Sequence, residues 1–280
     1  MRVTILGASG FIGRRLAAAL RARGDVVIEA SLRDPARAAE ASAGSDVVVN
    51  LAGAPVSVRW TTAAKREMTR SRVHQPRAYL EALARLADRP KAYVSGSAVG
   101  YYGTSPTATF TETSPPGADF LARLCVAWEF EADRAGELGM RVAKVRTGLV
   151  LGTGGGILGK LLPVFRLGLG GVVASGRQWF SWIHVEDELG ILQHAIDGAD
   201  GVFNASAPNP VTNRDFTRAL GHAVRRPTIF PVPAFAGTLL FGEGAMMLNE
   251  GQRVLPERTV ASGYVFRHPD LDEALRSLVG

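Results

Sequence analysis

Residues 1–20 read MRVTILGASGFIGRRLAAAL, and this stretch decides the fold. Arg2–Leu6 is a short β-branched and apolar run of the kind that becomes a buried strand. Gly7, Gly10 and Gly13 follow at a spacing of three, and from Phe11 the apolar residues Ile12, Leu16 and Leu20 fall at helical intervals. Strand, glycine turn and helix in that order is the context in which a glycine motif carries information. Gly7 permits a tight turn off the strand, and Gly10 lets backbone come close to a pyrophosphate. Gly13 lets the helix pack on the sheet, while the open N–H groups at the helix start face an anion. The stretch predicts a dinucleotide site formed by Gly7, Ser9, Gly10, Phe11, Ile12 and Gly13.

The chain has 280 residues, enough for one large domain or two modest ones with a substantial core. Hydrophobic residues make up 46% and charged residues 21%, which excludes a disordered chain. The net charge of +6 is spread along the sequence, with no basic stretch interleaved with aromatics. A solvated basic surface and a polyanionic cofactor account for it, so no nucleic-acid partner is expected. Cys125 is the single cysteine, which excludes an internal disulfide and fits a reducing compartment. A strand beginning at residue 2 leaves no room for a signal peptide, and no apolar run approaches the roughly 20 residues of a membrane helix. A soluble cytoplasmic protein with a small-molecule substrate, as monomer or homodimer, is expected.

Asp25–Leu32 predicts a second strand ending at Arg33. An acid at this position serves the ribose hydroxyls of NAD, whereas an arginine accepts the 2′-phosphate of NADP. Glu29 comes too early and Asp34 one residue late, which favours NADP(H); a plain surface arginine is the alternative. Pro35–Ser45 offers one short helix, where a regular βαβ series would place another strand before Ser45–Leu51. Trp60–Leu86 reads as mostly helical, with Pro76 breaking or kinking it. Lys91–Ser95 is the next strand, followed by a turn carrying Ser97, Tyr101 and Tyr102, and Asp119–Leu138 is a helix. Arg141–Leu151 is another core strand, and the glycine-rich stretch 152–176 suggests a lid-like or substrate-facing segment. Trp182–Asp187 leads into a helix to about Ile196, Gly201–Ser206 returns to the sheet, Thr212 or Asn213 caps a further helix, and Asp270–Leu278 is the last one.

With these residues in place the sequence resembles an extended short-chain dehydrogenase/reductase, whose glycine spacing is GxxGxxG. Ile183–Asp187 is similar to that branch's I-H-V-x-D segment. More closely, it resembles a bacterial epimerase-like family carrying S-G-S-A-x-G-Y-Y-G, L-C-x-x-W-E and a long G-G-I-L-G-K-x-L-P-x-F-R-L-G-L-G-G. Here these are Ser95–Gly103, Leu124–Glu129 and Gly155–Gly171. The resemblance covers essentially the whole chain, including a C-terminal region of undefined function. It implies an α/β fold, a Rossmann doubly wound parallel sheet spanning residues 1–150 with 184–206 returning to it. Residues 151–183 and 207–280 form a smaller C-terminal substrate domain. It also implies NADP(H) contacts from Gly7, Ser9, Gly10, Phe11, Ile12, Gly13, Arg33, Leu51, Ala52, Gly53, Ser95, Gly96, Thr147, Gly148 and Val150, with Ser97 as the catalytic serine.

Reduction of a carbonyl needs a donor for the developing alkoxide. The usual Tyr-x-x-x-Lys pair puts both groups on one helical face, where the ammonium lowers the tyrosine pKa from about 10. The helix 119–138 contains neither residue: alignment on Trp128-Glu129 puts Leu121 at the tyrosine position and Cys125 at the lysine position. Three readings follow: an oxidoreductase or epimerase using Tyr101 or Tyr102 as substitute acid, a silent NADP(H)-binding sensor, or chemistry done mostly by the cofactor. Ser97 and Tyr102 are the catalytic candidates. Arg72, Tyr101, Arg177, Trp182 and His184 are the substrate-side candidates, with His184 equally suited to a structural hydrogen bond. No metal site is expected.

Overall fold

The computed structural model describes residues 1–279, less the side chains of Ala236, Gly237, Leu240, Phe241 and Leu248. The opening run forms β1 (Arg2–Leu6), and the glycine turn delivers the chain into α1 (Phe11–Ala22). Then come β2 (Val26–Ala30), α2 (Pro35–Ala41) and β3 (Val47–Asn50). Both β2 and β3 pair with β1 in parallel, one on each side. The strand that a regular series would place beyond β2 is absent, so β2 is the sheet's edge. The direction of strand addition reverses between β1 and β3, and in such a sheet the crevice beyond the carboxyl ends at that point takes the ligand.

The next segment holds α3 (Thr62–Thr69), a π-helical turn (Arg70–His74) and α4 (Gln75–Leu83). Pro76 interrupts the helix with a π turn rather than ending it, the milder of the two outcomes that the sequence allows. It lies in the first turn of α4, where its missing N–H is tolerated, and the π turn just before it absorbs the carbonyls its ring would crowd. After β4 (Ala92–Ala98) come β5 (Thr109–Phe110), α5 (Phe120–Glu137), β6 (Arg141–Thr147), β7 (Leu149–Leu151), α6 (Leu158–Arg166), β8 (Trp179–Phe180), β9 (Trp182–His184), α7 (Val185–Ile196) and β10 (Gly201–Ala205). The six-stranded sheet runs β2-β1-β3-β4-β6-β10, all parallel.

Two boundaries differ from the sequence reading. β4 continues three residues beyond Ser95, because its partner β6 pairs with it as far as Ala98, opposite Thr147. Ser97 is therefore a strand residue rather than a turn residue. The strand expected over Arg141–Leu151 is two strands. At Gly148 the chain leaves the main sheet, and β7 pairs with β9 instead.

Alternating strand residues feed two cores. Val3, Ile5, Val47, Val49, Val94 and Val145 pack under α1 and α7. Leu6, Val48 and Tyr93 pack under α2, α4 and α5. Each fully buried aliphatic side chain is worth about 1.5–3 kcal/mol in removed apolar surface. The rest of the chain, β11 (Val211–Thr212), α8 (Asn213–Ala223), α9 (Ala234–Phe241), α10 (Met246–Asn249), β12 (Arg253–Val254), α11 (Glu257–Ala261) and α12 (Leu271–Val279), is attached beside the sheet. Its own core joins α6, α8 and α12 around Phe165, Trp182, Phe216 and Leu275.

Glu188 on α7 is fully buried. Thr147 Oγ1 donates to its Oε1 at 2.8 Å, and Oε2 has no partner among the described residues. Burial pushes the carboxyl from 4.5 up to about 8. Between those values the folded protein keeps a proton that the unfolded chain has lost. Stability therefore falls by roughly 1.4 kcal/mol per pH unit as pH rises through this window and levels off above it. Urea unfolding from pH 5 to 9 tests this. Glu188→Gln should flatten that decline and be the more stable protein at pH 8–9, whereas an unchanged slope would remove Glu188 as its source.

Candidate cofactor and catalytic site

The carboxyl ends of β1 and β3 meet at the glycine turn. Gly7 has φ +88°, and a Cβ there would lie 2.8 Å from the Ala52 amide nitrogen. Gly13 packs so closely on Gly7 that any side chain would strike the Gly7 carbonyl. Gly10 is the N-cap of α1 and brings no capping side chain, so the first N–H groups of this 12-residue helix stay open to an outside acceptor. Ser9 is exposed, while Phe11 and Ile12 are half-buried. The Phe11 ring packs against Gly152, Gly155 and Gly156, and Arg15 lies 4.2 Å from the ring centroid while donating to the Thr153 carbonyl. The glycine-rich loop after β7 is thus folded onto the start of α1. A cradle without side chains, at open helix N–H groups, fits a dinucleotide.

At the end of β2, Arg33 is exposed. The acids near it are engaged: Asp34 Oδ1 accepts from the Arg37 amide at 3.1 Å and caps α2, Glu29 pairs with Arg21 at 2.7 Å, and Glu67, whose charge Arg33 also feels, is held by Arg70 at 2.7 Å. Beyond β3, Asn50 Oδ1 accepts from the Ala52 amide, and the half-buried Leu51 donates its amide to Leu6. The π turn reaches over this segment: Ser71 Oγ accepts from the Ala54 amide at 3.0 Å, and Arg72 Nη1 donates to the Ala54 carbonyl at 2.9 Å.

The opposite end of the crevice is built on one buried ion pair. Arg146, inward-facing on β6, donates from Nε to Glu129 Oε1 at 2.7 Å and from Nη2 to Oε2 at 2.8 Å. Burial alone depresses the guanidinium pKa, but the Glu129 carboxylate outweighs it and holds the pKa above its ordinary value. Glu129 also accepts from Ser97 Oγ at 2.7 Å, since Ser97 and Arg146 are register partners on adjacent strands. On the other side, Arg146 Nη1 donates to the Tyr102 hydroxyl at 2.9 Å, and its guanidinium lies 3.4 Å from the Tyr101 ring centroid. Tyr102 donates in turn to Asn204 Oδ1 at 2.7 Å. Asn204 and Thr259 both donate backbone N–H groups to Glu112, so the chain runs unbroken from Ser97 to α11.

Neither residue at the usual Tyr and Lys positions can ionise near neutrality. Leu121 is half-buried among apolar neighbours, and burial, with Glu129 nearby, pushes the Cys125 thiol up to about 12. Burial also pushes the Tyr102 hydroxyl up to about 12. Near Ser97, the Ser95 hydroxyl donates to the Gly96 carbonyl and Thr147 to Glu188, while Gly148 and the buried Val150 mark where the chain leaves the sheet.

The remaining candidates lie farther out. Arg177 is exposed in the loop before β8. Trp182 is fully buried in the core around α8 and α12, its indole donating to the Asn209 carbonyl. His184 caps α7, its Nδ1 accepting from the Glu186 amide, and its ring lies 3.7 Å from that of His268. Burial and then His268 lower it to about 4. Among the described residues, His184, Glu186 and His268 have the spacing of metal ligands. With Nδ1 already accepting the helix's amide and the rings stacked, this cluster works as a packing joint. The sequence reading missed Glu129, Arg146, Glu112 and Asn204. Glu129, Arg146 and Asn204 lie on α5, β6 and β10 and Glu112 in the turn after β5, and nothing local in the sequence marks them as partners.

Removing one partner of a buried ion pair strands the other charge and costs about 3–5 kcal/mol. Arg146→Met should therefore destabilise the protein by that order in urea titration, far more than Arg177→Met. Equal, small losses in both would show that the pair does not hold this end together.

Comparison with known proteins agrees with this geometry. The NAD dependent epimerase/dehydratase family model matches residues 3–205, and a domain of unknown function, DUF1731, matches residues 232–278. The human epimerase family protein SDR39U1 is 40% identical, with all of both chains covered. The chloroplastic SDR39U1 homolog of Arabidopsis thaliana is 41% identical over all of this chain and 87% of its own. A crystal structure of the human protein (isoform2) with NADPH superposes with a TM-score of 0.93 at 38% identity, covering 100% of this chain and 99% of that one. The family model over most of the chain, with likeness to relatives along the whole length, makes this chain a member of the NAD-dependent epimerase/dehydratase family.

Proposed function

We propose that the protein binds NADP(H) and carries out reductase- or epimerase-type chemistry on a small carbonyl or nucleotide-sugar-like substrate, with Ser97 meeting the substrate oxygen. The line Ser97–Glu129–Arg146 carries this reading. Bound NADPH supplies a hydride to a carbonyl carbon. Glu129, held on both oxygens by Arg146, keeps the Ser97 hydrogen on itself and so fixes the direction of Oγ. The serine's remaining lone pairs are then available to a substrate hydroxyl. In the reducing direction the alkoxide takes its proton from Ser97 Oγ, which is restored from Glu129 after that carboxylate has taken a proton from solvent. In the oxidising direction the substrate hydroxyl gives its proton to Oγ, and the serine's own proton passes to Glu129.

NADP(H) rather than NAD(H) is supported by the two engaged acids at the end of β2, which leave Arg33 as the exposed charge for a 2′-phosphate. The NADPH in the human relative's structure supports the same choice. A reducing, cytoplasmic setting is part of the proposal, supported by the lone buried thiol of Cys125. A second reading, a silent NADP(H)-binding sensor, is favoured by Leu121 and Cys125 standing where the tyrosine and lysine would be.

Titration with NADPH and NADH, followed by nicotinamide fluorescence, tests the cofactor. NADPH should bind at least tenfold tighter, and Arg33→Ala should lose about that factor for NADPH alone, the worth of one charge-assisted bond. Equal affinities, or an unaffected mutant, would sink the assignment. Oxidation of NADPH across a panel of carbonyl substrates separates the two readings. Enzyme chemistry predicts turnover abolished by Ser97→Ala with cofactor affinity intact, and no turnover in the wild type selects the sensor.

A further inference from the structure

We infer that the half-buried Arg72 and the buried Trp128 form a subsite for a phosphate group beside the dinucleotide turn. The π turn before Pro76 carries Ser71 and Arg72, and these two side chains grip the Ala54 peptide from its amide and carbonyl sides. The guanidinium occupies the space where Gly53 lacks a side chain: a Cβ there would stand 2.7 Å from Nη2 and 3.2 Å from Nε. Gly53 is therefore small because Arg72 needs the room. No carboxylate lies within 4.0 Å of that guanidinium among the described residues, in contrast to the clamped Arg146. Its near neighbour Cys125 is a neutral thiol and supplies no counter-charge.

Trp128 supplies the second, independent observation. Its ring lies 5.1 Å from the guanidinium carbon, and its buried indole N–H has no acceptor among the described residues. A desolvated cation and an orphaned donor both cost stability unless an acceptor, preferably an anion, completes them. Phosphate oxygens meet that requirement, and arginine binds them with two parallel hydrogen bonds. The position narrows the source to two. Ala52, two residues before Ala54, touches the Gly7 turn, so the phosphate is either the cofactor's pyrophosphate or a phosphate on the substrate. Only the first source rests on the proposed NADP(H) binding.

The test uses the full chain, Arg72→Gln, and Gly53→Ala, which keeps the charge but pushes the guanidinium out of place. Each protein is titrated with NADPH by fluorescence. Each is then titrated with inorganic phosphate, with and without NADPH, following the thermal midpoint. A roughly tenfold or greater loss of NADPH affinity in both variants assigns the subsite to the cofactor. Unchanged NADPH affinity, with a phosphate-induced rise in midpoint seen in the wild type and lost in both variants, assigns it to a substrate. In either case ligand-free Arg72→Gln should melt within a few degrees of the wild type, because it removes one hydrogen bond to Ala54 together with a half-buried charge that no carboxylate balances. Unchanged NADPH affinity together with no variant-sensitive phosphate effect overturns the inference, as does a ligand-free Arg72→Gln that melts well below the wild type. A wild type that ignores NADPH contradicts the cofactor proposal, and its phosphate response without NADPH still decides Arg72.

Discussion

The ion pair between Arg146 and Glu129 is the constraint on which the chemical end of the molecule depends. Two charges taken out of water must satisfy each other on nearly every hydrogen-bonding position, and here they do. Glu129 uses both oxygens on Arg146 and still receives Ser97, while Arg146 spends its third nitrogen on Tyr102 and its face on Tyr101. The strand register makes this possible: Ser97 and Arg146 face each other across β4 and β6, with Glu129 above them on α5. The same network crosses to Asn204, Glu112 and Thr259, so the C-terminal region is tied to the serine by hydrogen bonds rather than by apolar contact alone.

The two ends of the crevice are built on opposite principles. At the nucleotide end the chain removes side chains and leaves helix N–H groups open, so that a ligand's phosphates complete the structure. At the chemical end it satisfies both charges of the Arg146–Glu129 pair from within and leaves Ser97 Oγ able to accept from a ligand. Arg72 stands between them, half-buried where Arg146 is buried and lacking the carboxylate that Arg146 has, and this contrast separates a charge that serves the fold from one that awaits a ligand.

The fold was legible where its signals are local. Gly7, Gly10 and Gly13 lie within one turn of a strand end, so their meaning does not depend on distant residues. The short stretch 35–45 left a strand there either lost or irregular, and among the described residues β2 is the edge of the sheet. The buried network was not legible, because Glu129 and Arg146 are 17 residues apart on different elements and look like ordinary surface charges. Only the register of β6 against β4 turns Arg146 inward. Pro76 signals a kink or a break without saying which, and here the chain takes a π turn just before it. Trp182 and His184, singled out for the substrate side, lie in the packing around α7 and α12. Apolar and hydrogen-bonding demands there are invisible to a motif.

The most direct test of the account is a crystal structure of this protein with NADPH bound. It should place the pyrophosphate against the N–H groups that follow Gly10 and the 2′-phosphate on Arg33. Ser97 should face the nicotinamide with its hydrogen bond to Glu129 intact. A cofactor lying elsewhere, or a Ser97 released from Glu129 while Arg146 turns to a new partner, would contradict it.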